Sequence, residues 1–220
     1  MASDRRFGVL WDMDGVLVDT GPTHYRAWVL TLADYGLTMS EEFFRSTFGM
    51  TNTNLLPLLL AERSTPELVQ AISDRKEALF RQMMAGQARP LPGVEHWLES
   101  LRALGARQAV ASSAPTQNLD VMLAGLGVRP WFDAVISGDG MPGKPAPDVF
   151  LKAAEAIDLR PERCVVIEDA INGVAGAKNA GMKCIAVTTT NPAAALAQAD
   201  VVVDSLADLS PTIVEGLLGV

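Results

Sequence analysis

RCVVIEDAINGVAGAKNAGMKCIAVT, residues 163–188, reads as two short apolar runs separated by a helical stretch. RCVVIE (163–168) and KCIAVT (183–188) are rich in Val and Ile and too short for buried helices, whereas 170–180 has amphipathic spacing. Strand, helix, strand at this spacing is the unit of a parallel sheet covered on both faces. Working outward, the same kind of run recurs at 7–11 (FGVLW), 106–112 (ARQAVAS), 134–137 (AVIS) and 199–204 (ADVVVD), with amphipathic segments at 93–104, 115–126, 147–157 and 205–218. The predicted fold class is therefore α/β, a Rossmann-like parallel sheet with helices on both faces.

Residues 21–88 break the alternation. Helical periodicity runs through 22–35, 41–47, 51–61 and 65–85, with no convincing strand. Turn-forming compositions flank this stretch, DTGP (19–22) and AGQARPLPG (85–93). The reading is a sheet domain of residues 1–20 and 89–220, with an all-helical domain, 21–88, inserted after the first strand.

Composition narrows the class. The 220 residues carry 18 Lys+Arg against 26 Asp+Glu, a formal charge of −8, which argues against nucleic acid or an anionic membrane as partner. With 49% apolar residues the chain can bury a core without disulfides, and no run approaches the ~20 residues of a membrane span. Cys164 and Cys184 begin apolar runs, as buried thiols in a reducing cytoplasm would. With His24 and His96 as the chain's two histidines, a zinc site is not expected. The expectation is a cytoplasmic protein, a monomer or weak homodimer.

Four strand ends carry polar residues. Asp12 and Asp14 lie two apart at the end of the first strand, so both point the same way. Alone they read equally as an Asx-turn, with Gly15 supplying a positive φ. Ser112-Ser113 precede a helix that starts near Pro115, a phosphate seat or merely a cap. Lys144 lies between Gly143 and Pro145, and Glu168-Asp169 open the helix at Ala170, where an acidic cap would suffice. A parallel sheet gathers the C-terminal ends of its strands on one edge, so the four sites converge. Four carboxylates against one lysine would repel a phosphate and one another. A divalent cation with an oxygen shell, Mg²⁺, resolves both problems. The constellation predicts metal-assisted phosphoryl chemistry. Two nearby look-alikes, a G-x-G-x-x-G at 138–143 and a near P-loop at 138–144, fail because Pro142, Pro145 and Pro147 prevent a helix from opening there.

DMDGVLVDT (12–20), the Ser112 turn, GKPAPDVF (143–150) and IEDAINGVAGAKNAGM (167–182) resemble, in order and placement, the four motifs of the haloacid dehalogenase superfamily of phosphohydrolases. The subgroup is similar to that containing β-phosphoglucomutase and phosphoglycolate phosphatase, and residues 21–88 are similar to that subgroup's helical cap. The resemblance implies that Asp12 attacks phosphorus to form an aspartyl-phosphate. An ordinary carboxylate is already ionised at neutral pH, so positioning would suffice for this role. Asp14 becomes the general acid and then the base, with a pKa raised by its acidic neighbours. Ser112 and Lys144 hold the phosphoryl oxygens. Mg²⁺ is held by Asp12, the Asp14 carbonyl and Asp169, with Glu168 a further ligand or a partner of one.

In the helical insertion, His24 falls where β-phosphoglucomutase has a cap histidine, and Thr51 and Asn52 lie in a loop, FGMTNTN (48–54), similar to the one facing that family's site. With Ser113 these are the expected substrate contacts. No arginine occurs between Arg45 and Arg63, where a mutase would grip a second phosphate. The apolar stripe Leu55, Leu56, Leu58, Leu59 with Met83 and Met84 reads as core of the insertion. The expected activity is a Mg²⁺-dependent phosphatase of a small phosphorylated metabolite, with a phosphomutase as the alternative enzyme. A non-catalytic phosphometabolite-binding protein is the alternative of another class.

Overall fold

A computed structural model describes residues 7–219. Six parallel strands, β1 (Gly8–Trp11), β2 (Arg107–Ser112), β3 (Ala134–Ser137), β4 (Cys164–Glu168), β5 (Lys183–Val187) and β6 (Val201–Val203), form one sheet in the order β3-β2-β1-β4-β5-β6. Every run expected to be a strand is one. β1 is central, flanked by β2 and β4, and the strand order reverses there, which is where open α/β sheets bind ligands.

Helices α1 (Gly21–Ala33), α2 (Glu41–Thr47), α3 (Asn52–Leu60) and α4 (Pro66–Met84) lie between β1 and β2. They are followed by α5 (Val94–Ala103), α6 (Thr116–Leu126), α7 (Asp148–Ala156), α8 (Ile171–Asn179) and α9 (Pro211–Leu218). The single helix expected over 205–218 is divided: a 3₁₀ turn at Leu206–Asp208 precedes α9, because Pro211 has no N–H and fits only at a helix start. No helix opens between Gly138 and Pro147, as the prolines require.

Side chains of alternate strand positions fill the two faces. Val9, Trp11, Val110, Val165, Ile167 and Ile185 pack against α5 and α6 with Trp97, Leu101 and Met122. Leu10, Ala109, Ala111, Val166 and Ala186 pack against α7 and α8 with Phe150 and Val174. Both cysteines are buried free thiols. A third cluster, Trp28, Leu32, Leu55, Leu56, Leu60, Val69 and Ile72, lies wholly within the inserted helices. The apolar stripe divides three ways. Leu55, Leu56 and Leu59 join this cluster, Leu58 is 60% exposed, and Met83 and Met84 pack into the sheet's own core. The reason is the length of α4: its last turn reaches beyond the insertion's own apolar cluster and lies against the sheet's helices. Where the chain enters and leaves the insertion the two connections are tied together, Val18 bridging Pro90 and Leu91 N–H donating to Leu17 C=O at 3.0 Å.

Candidate active site

Asp12 continues β1 by one residue, its N–H donating to Ile167 C=O at 3.0 Å, and this delivers its side chain to the C-terminal edge of the sheet. The chain then turns at Gly15, whose φ of 78° favours glycine and whose missing Cβ leaves room for the Asp169 carboxylate. Lys144 Nζ donates to Asp12 Oδ1 at 2.7 Å, to Glu168 Oε1 at 2.6 Å and to Ala111 C=O at 3.3 Å. The other Glu168 oxygen accepts from the Asp169 and Ala170 N–H groups, both at 2.9 Å. Thr190 donates to Asp169 Oδ2 and Asn191 Nδ2 to its carbonyl, while Asp169 Oδ1 is buried with no partner among the described residues. Asp12, Glu168 and Asp169 thus bring carboxylate oxygens within 4.8 Å of one another.

Burial shapes the titration of this cluster. It pushes Asp12 up to about 7; Lys144 opposes that, and the charges of Glu168 and Asp14 add to it. The ordinary ionisation expected of the nucleophile therefore does not hold for the bare site, because desolvation and crowding outweigh one lysine. Asp169 is raised well above the carboxylate range, first by burial and then by Glu168 and Asp12. Lys144 moves up: burial disfavours its charge, but the charges of Asp12 and Glu168 prevail.

Asp14 goes the other way. Burial would raise it, yet the hydrogen bond of His24, the Thr20 hydroxyl and the charge of Lys76 together lower it. The expected elevation by acidic neighbours is overturned, because those neighbours face Asp12 while the His24 ring, the Thr20 hydroxyl and the Lys76 ammonium act on Asp14. Thr20 Oγ1 donates to Asp14 Oδ1 at 2.5 Å, and His24 Nε2 lies 3.4 Å from the same oxygen. Lys76 Nζ lies 2.7 Å from His24 Nδ1. An ammonium can only donate, so Nδ1 accepts and Nε2 carries the ring hydrogen, directed at Asp14. The imidazole also stacks on Phe80, ring centroids 3.8 Å apart.

Residues 8–181 match the family described as haloacid dehalogenase-like hydrolase. The chain belongs to that family. Among its relatives, the fructose-1-phosphate phosphatase YqaB of Escherichia coli (strain K12) is 32% identical over 84% of this chain and 97% of its own length. A phosphorylated carbohydrates phosphatase of Thermotoga maritima is 30% identical over 88% of this chain and 91% of its own length. Among solved structures, CbbY from Rhodobacter sphaeroides in complex with phosphate superposes with a TM-score of 0.83, at 28% identity, over 92% of this chain and 96% of that one. The β-phosphoglucomutase of Clostridium difficile shares the fold, with a TM-score of 0.87 at 24% identity and 96% coverage of both chains.

In this haloacid dehalogenase-like hydrolase all ten site residues expected from sequence (Asp12, Asp14, His24, Thr51, Asn52, Ser112, Ser113, Lys144, Glu168 and Asp169) line one cavity of about 500 Å³. That volume suits a small metabolite. Ser112 is buried, its Oγ accepting from Ala114 N–H at 3.2 Å. Thr51 pairs with Thr53 at 3.0 Å. Asn52 lines the wall, but its Nδ2 donates to Glu77 at 2.8 Å.

Lys76, Glu77, Arg81 and Asn118 also line the cavity and were not among the expected residues. A signal for Lys76 was present: Val69, Ile72, Lys76 and Phe80 fall at helical spacing on the buried face of α4, and a lysine within an apolar stripe needs a partner. Glu77 is held down at about 2. Burial alone would raise it, and Lys76, His24 and Asn52 overcome that. Its ionised form therefore adds stability that is complete above about pH 4.5 and disappears as pH falls toward about 2. Glu77→Gln is expected to lower stability by roughly 2 to 3 kcal/mol near neutrality, the difference closing below pH ~3, as measured by urea unfolding across that range.

The donor set fits a hard divalent cation. Three buried carboxylates gather their oxygens within 4.8 Å of one another, and Asp169 Oδ1 is buried with no hydrogen-bond partner among the described residues. Among the described residues no helix is long and apolar enough to cross a membrane.

Proposed function

We propose that the protein hydrolyses a small sugar phosphate with Asp12 as nucleophile. The observation that carries this reading is the clustering of Asp12, Lys144, Glu168 and Asp169 at the strand ends, with Asp14 facing the same cavity under separate control. An Asp12 oxygen attacks phosphorus, the bond from phosphorus to the ester oxygen breaks, and Asp14 in its protonated form, which its lowered pKa makes the minor one in the bare site, gives that oxygen a proton. Water then attacks the aspartyl-phosphate, losing its proton to Asp14 as the bond from phosphorus to Asp12 breaks. Oδ1 of Asp14 takes the Thr20 and His24 contacts, which leaves Oδ2 for the proton. Lys144 holds Asp12 and offsets its charge, and Ser112 and Ser113 face the phosphoryl group beside the start of α6.

Asp12, Asp169 and the Asp14 carbonyl would hold Mg²⁺. When bound, the ion neutralises the carboxylates and draws charge from the phosphoryl oxygens. Glu168, with both oxygens hydrogen-bonded, serves to hold Lys144. Residues 21–88 act as a cap on a core of 1–20 and 89–220. The tied connections at Val18 and Pro90 mark its base, about which it opens to admit substrate. His24, Thr51 and Asn52 belong to the cap's wall of the cavity. A cytoplasmic setting accords with the buried free thiols, and a monomer or weak homodimer with a cavity walled by a single chain.

The sugar-phosphate class follows the named relatives, fructose-1-phosphate phosphatase and phosphorylated carbohydrates phosphatase. The test is phosphate release from fructose 1-phosphate, glucose 6-phosphate, phosphoglycolate and p-nitrophenyl phosphate, with and without Mg²⁺. Mg²⁺-dependent release, greatest with a sugar phosphate, is the expected result, and no release from any ester would overturn the reading. A phosphomutase is the second reading, since Arg81 lines the cavity and would meet a second phosphate in place of the arginine that the stretch between Arg45 and Arg63 lacks. Isomerisation of a sugar phosphate without phosphate release would favour it.

A further inference from the structure

The cavity contains a second charged cluster to which the reaction above gives no part. Glu77, on α4, is buried with both oxygens engaged. Oε1 accepts from Lys76 Nζ and Asn52 Nδ2, each at 2.8 Å, and Oε2 accepts from Asn118 Nδ2 at 2.6 Å. Asn118 belongs to α6, which packs on the sheet, and is 1% exposed. Its amide oxygen accepts from Arg81 Nη1, one turn along α4 from Glu77, at 2.9 Å. Only one orientation of this amide is satisfied. Reversed, it would set oxygen against the Glu77 carboxylate and NH₂ against the guanidinium. One buried asparagine on the sheet side therefore receives α4 twice, once as donor and once as acceptor.

From Glu77 the contacts continue toward the reaction. Lys76 reaches His24 Nδ1 at 2.7 Å, and His24 Nε2 faces Asp14 Oδ1 at 3.4 Å. A buried ammonium requires a counter-charge, and Glu77 is the carboxylate paired with Lys76, which is 2% exposed. Lys76 in turn selects the His24 tautomer that donates to Asp14. We propose that Glu77 and Asn118 are positioning residues for Asp14, acting through Lys76 and His24. The proposal rests on Asp14 being the proton donor to the leaving oxygen.

Its test compares two leaving groups in Glu77→Gln and Asn118→Ala. A sugar alkoxide needs the proton from Asp14, whereas p-nitrophenolate is stable enough to depart without it, and kcat/KM reports this first phosphoryl transfer. With fructose 1-phosphate kcat/KM is expected to fall about tenfold or more in either variant, and with p-nitrophenyl phosphate by about threefold or less, since general acid catalysis is worth about 10² to 10⁴. Equal losses on both esters would show a merely structural role, and no loss on either would show no role; each overturns the proposal. If Asn118→Ala does not fold, the isosteric Glu77→Gln decides alone. A readout independent of activity is ¹⁵N NMR of the chain's two histidines. His24 is expected as the Nε2–H tautomer in the wild type and as a mixture in the variants, and unchanged His24 signals would overturn the proposal. Wild-type protein inactive on both esters would instead remove the phosphatase reading, with the NMR comparison still deciding whether Glu77 and Asn118 set His24.

Discussion

An Asp12→Asn variant is expected to lose at least about a thousandfold in turnover while melting no lower than the wild type in the absence of metal, since losing a covalent nucleophile typically costs several orders of magnitude. The loss follows from position. Asp12 carries the oxygen that would bond to phosphorus, at the end of the central strand. Glu168 has both oxygens engaged, and Asp169, its Oδ2 held by Thr190 beside Gly15, keeps Oδ1 for the metal. The preserved melting point follows from electrostatics. Burial and the charges of Glu168 and Asp14 already push Asp12 up to about 7, so the folded site binds a proton more readily than the unfolded chain. A carboxyl group raised in this way takes stability from the fold as pH rises from its ordinary value through about 7, and a neutral amide removes that burden. Added Mg²⁺ should stabilise the wild type more than the variant, and more so at higher pH, where protons no longer compete for Asp12. Thermal unfolding with and without the ion measures both effects. A variant that retains turnover would refute the nucleophile.

Lys144→Met is expected to be the most destabilising single change at the site, by about 3 to 5 kcal/mol near pH 8, the usual result of leaving buried charge without its partner. Among the described residues Lys144 is the one cation bonded to Asp12, Glu168 and the Ala111 carbonyl, and its ammonium also lies over the Phe150 ring at 4.8 Å. Without it Asp12, Glu168 and Asp169 would face one another in a buried site. They would respond by taking up protons, so the folded state would hold more protons than the unfolded chain over a wider pH range. The variant should accordingly be least stable at alkaline pH and recover toward about pH 5, as urea unfolding at the two pH values would show. Turnover should be lost as well, since Asp12 would carry a proton where it needs a lone pair. Equal stability of variant and wild type at alkaline pH would mean that water had entered to solvate the cluster.

Much of this was legible in the chain. Apolar runs of four to seven residues, rich in Val and Ile, are too short for buried helices, and their alternation with helices points to a parallel sheet. Residues two apart in an extended segment share a side, and parallel strands end on one edge. Those two geometric rules alone bring Asp12 and Asp14 together with Ser112, Lys144 and Asp169, without knowledge of any packing angle. The inserted helices were likewise legible as helices from their spacing. Their division of labour was not: Met83 and Met84 lie in the sheet's core although their spacing belongs to α4, and Leu58 faces outward from an apolar helix.

What the sequence by itself determined, then, is every relation carried by local periodicity or by the common polarity of the strands. Only the tertiary structure decided which side chains became partners across helices. His24 meets Lys76 at a separation of 52 residues, and Glu77 meets Asn118 at 41. No spacing rule predicts such pairs, because they depend on how far one helix is rotated and slid against another. The sign of the Asp14 shift turned on the same point. Its acidic neighbours in the chain were visible from the outset, but electrostatic interaction weakens with distance, and the fold placed His24 and Thr20, rather than those carboxylates, against its oxygen.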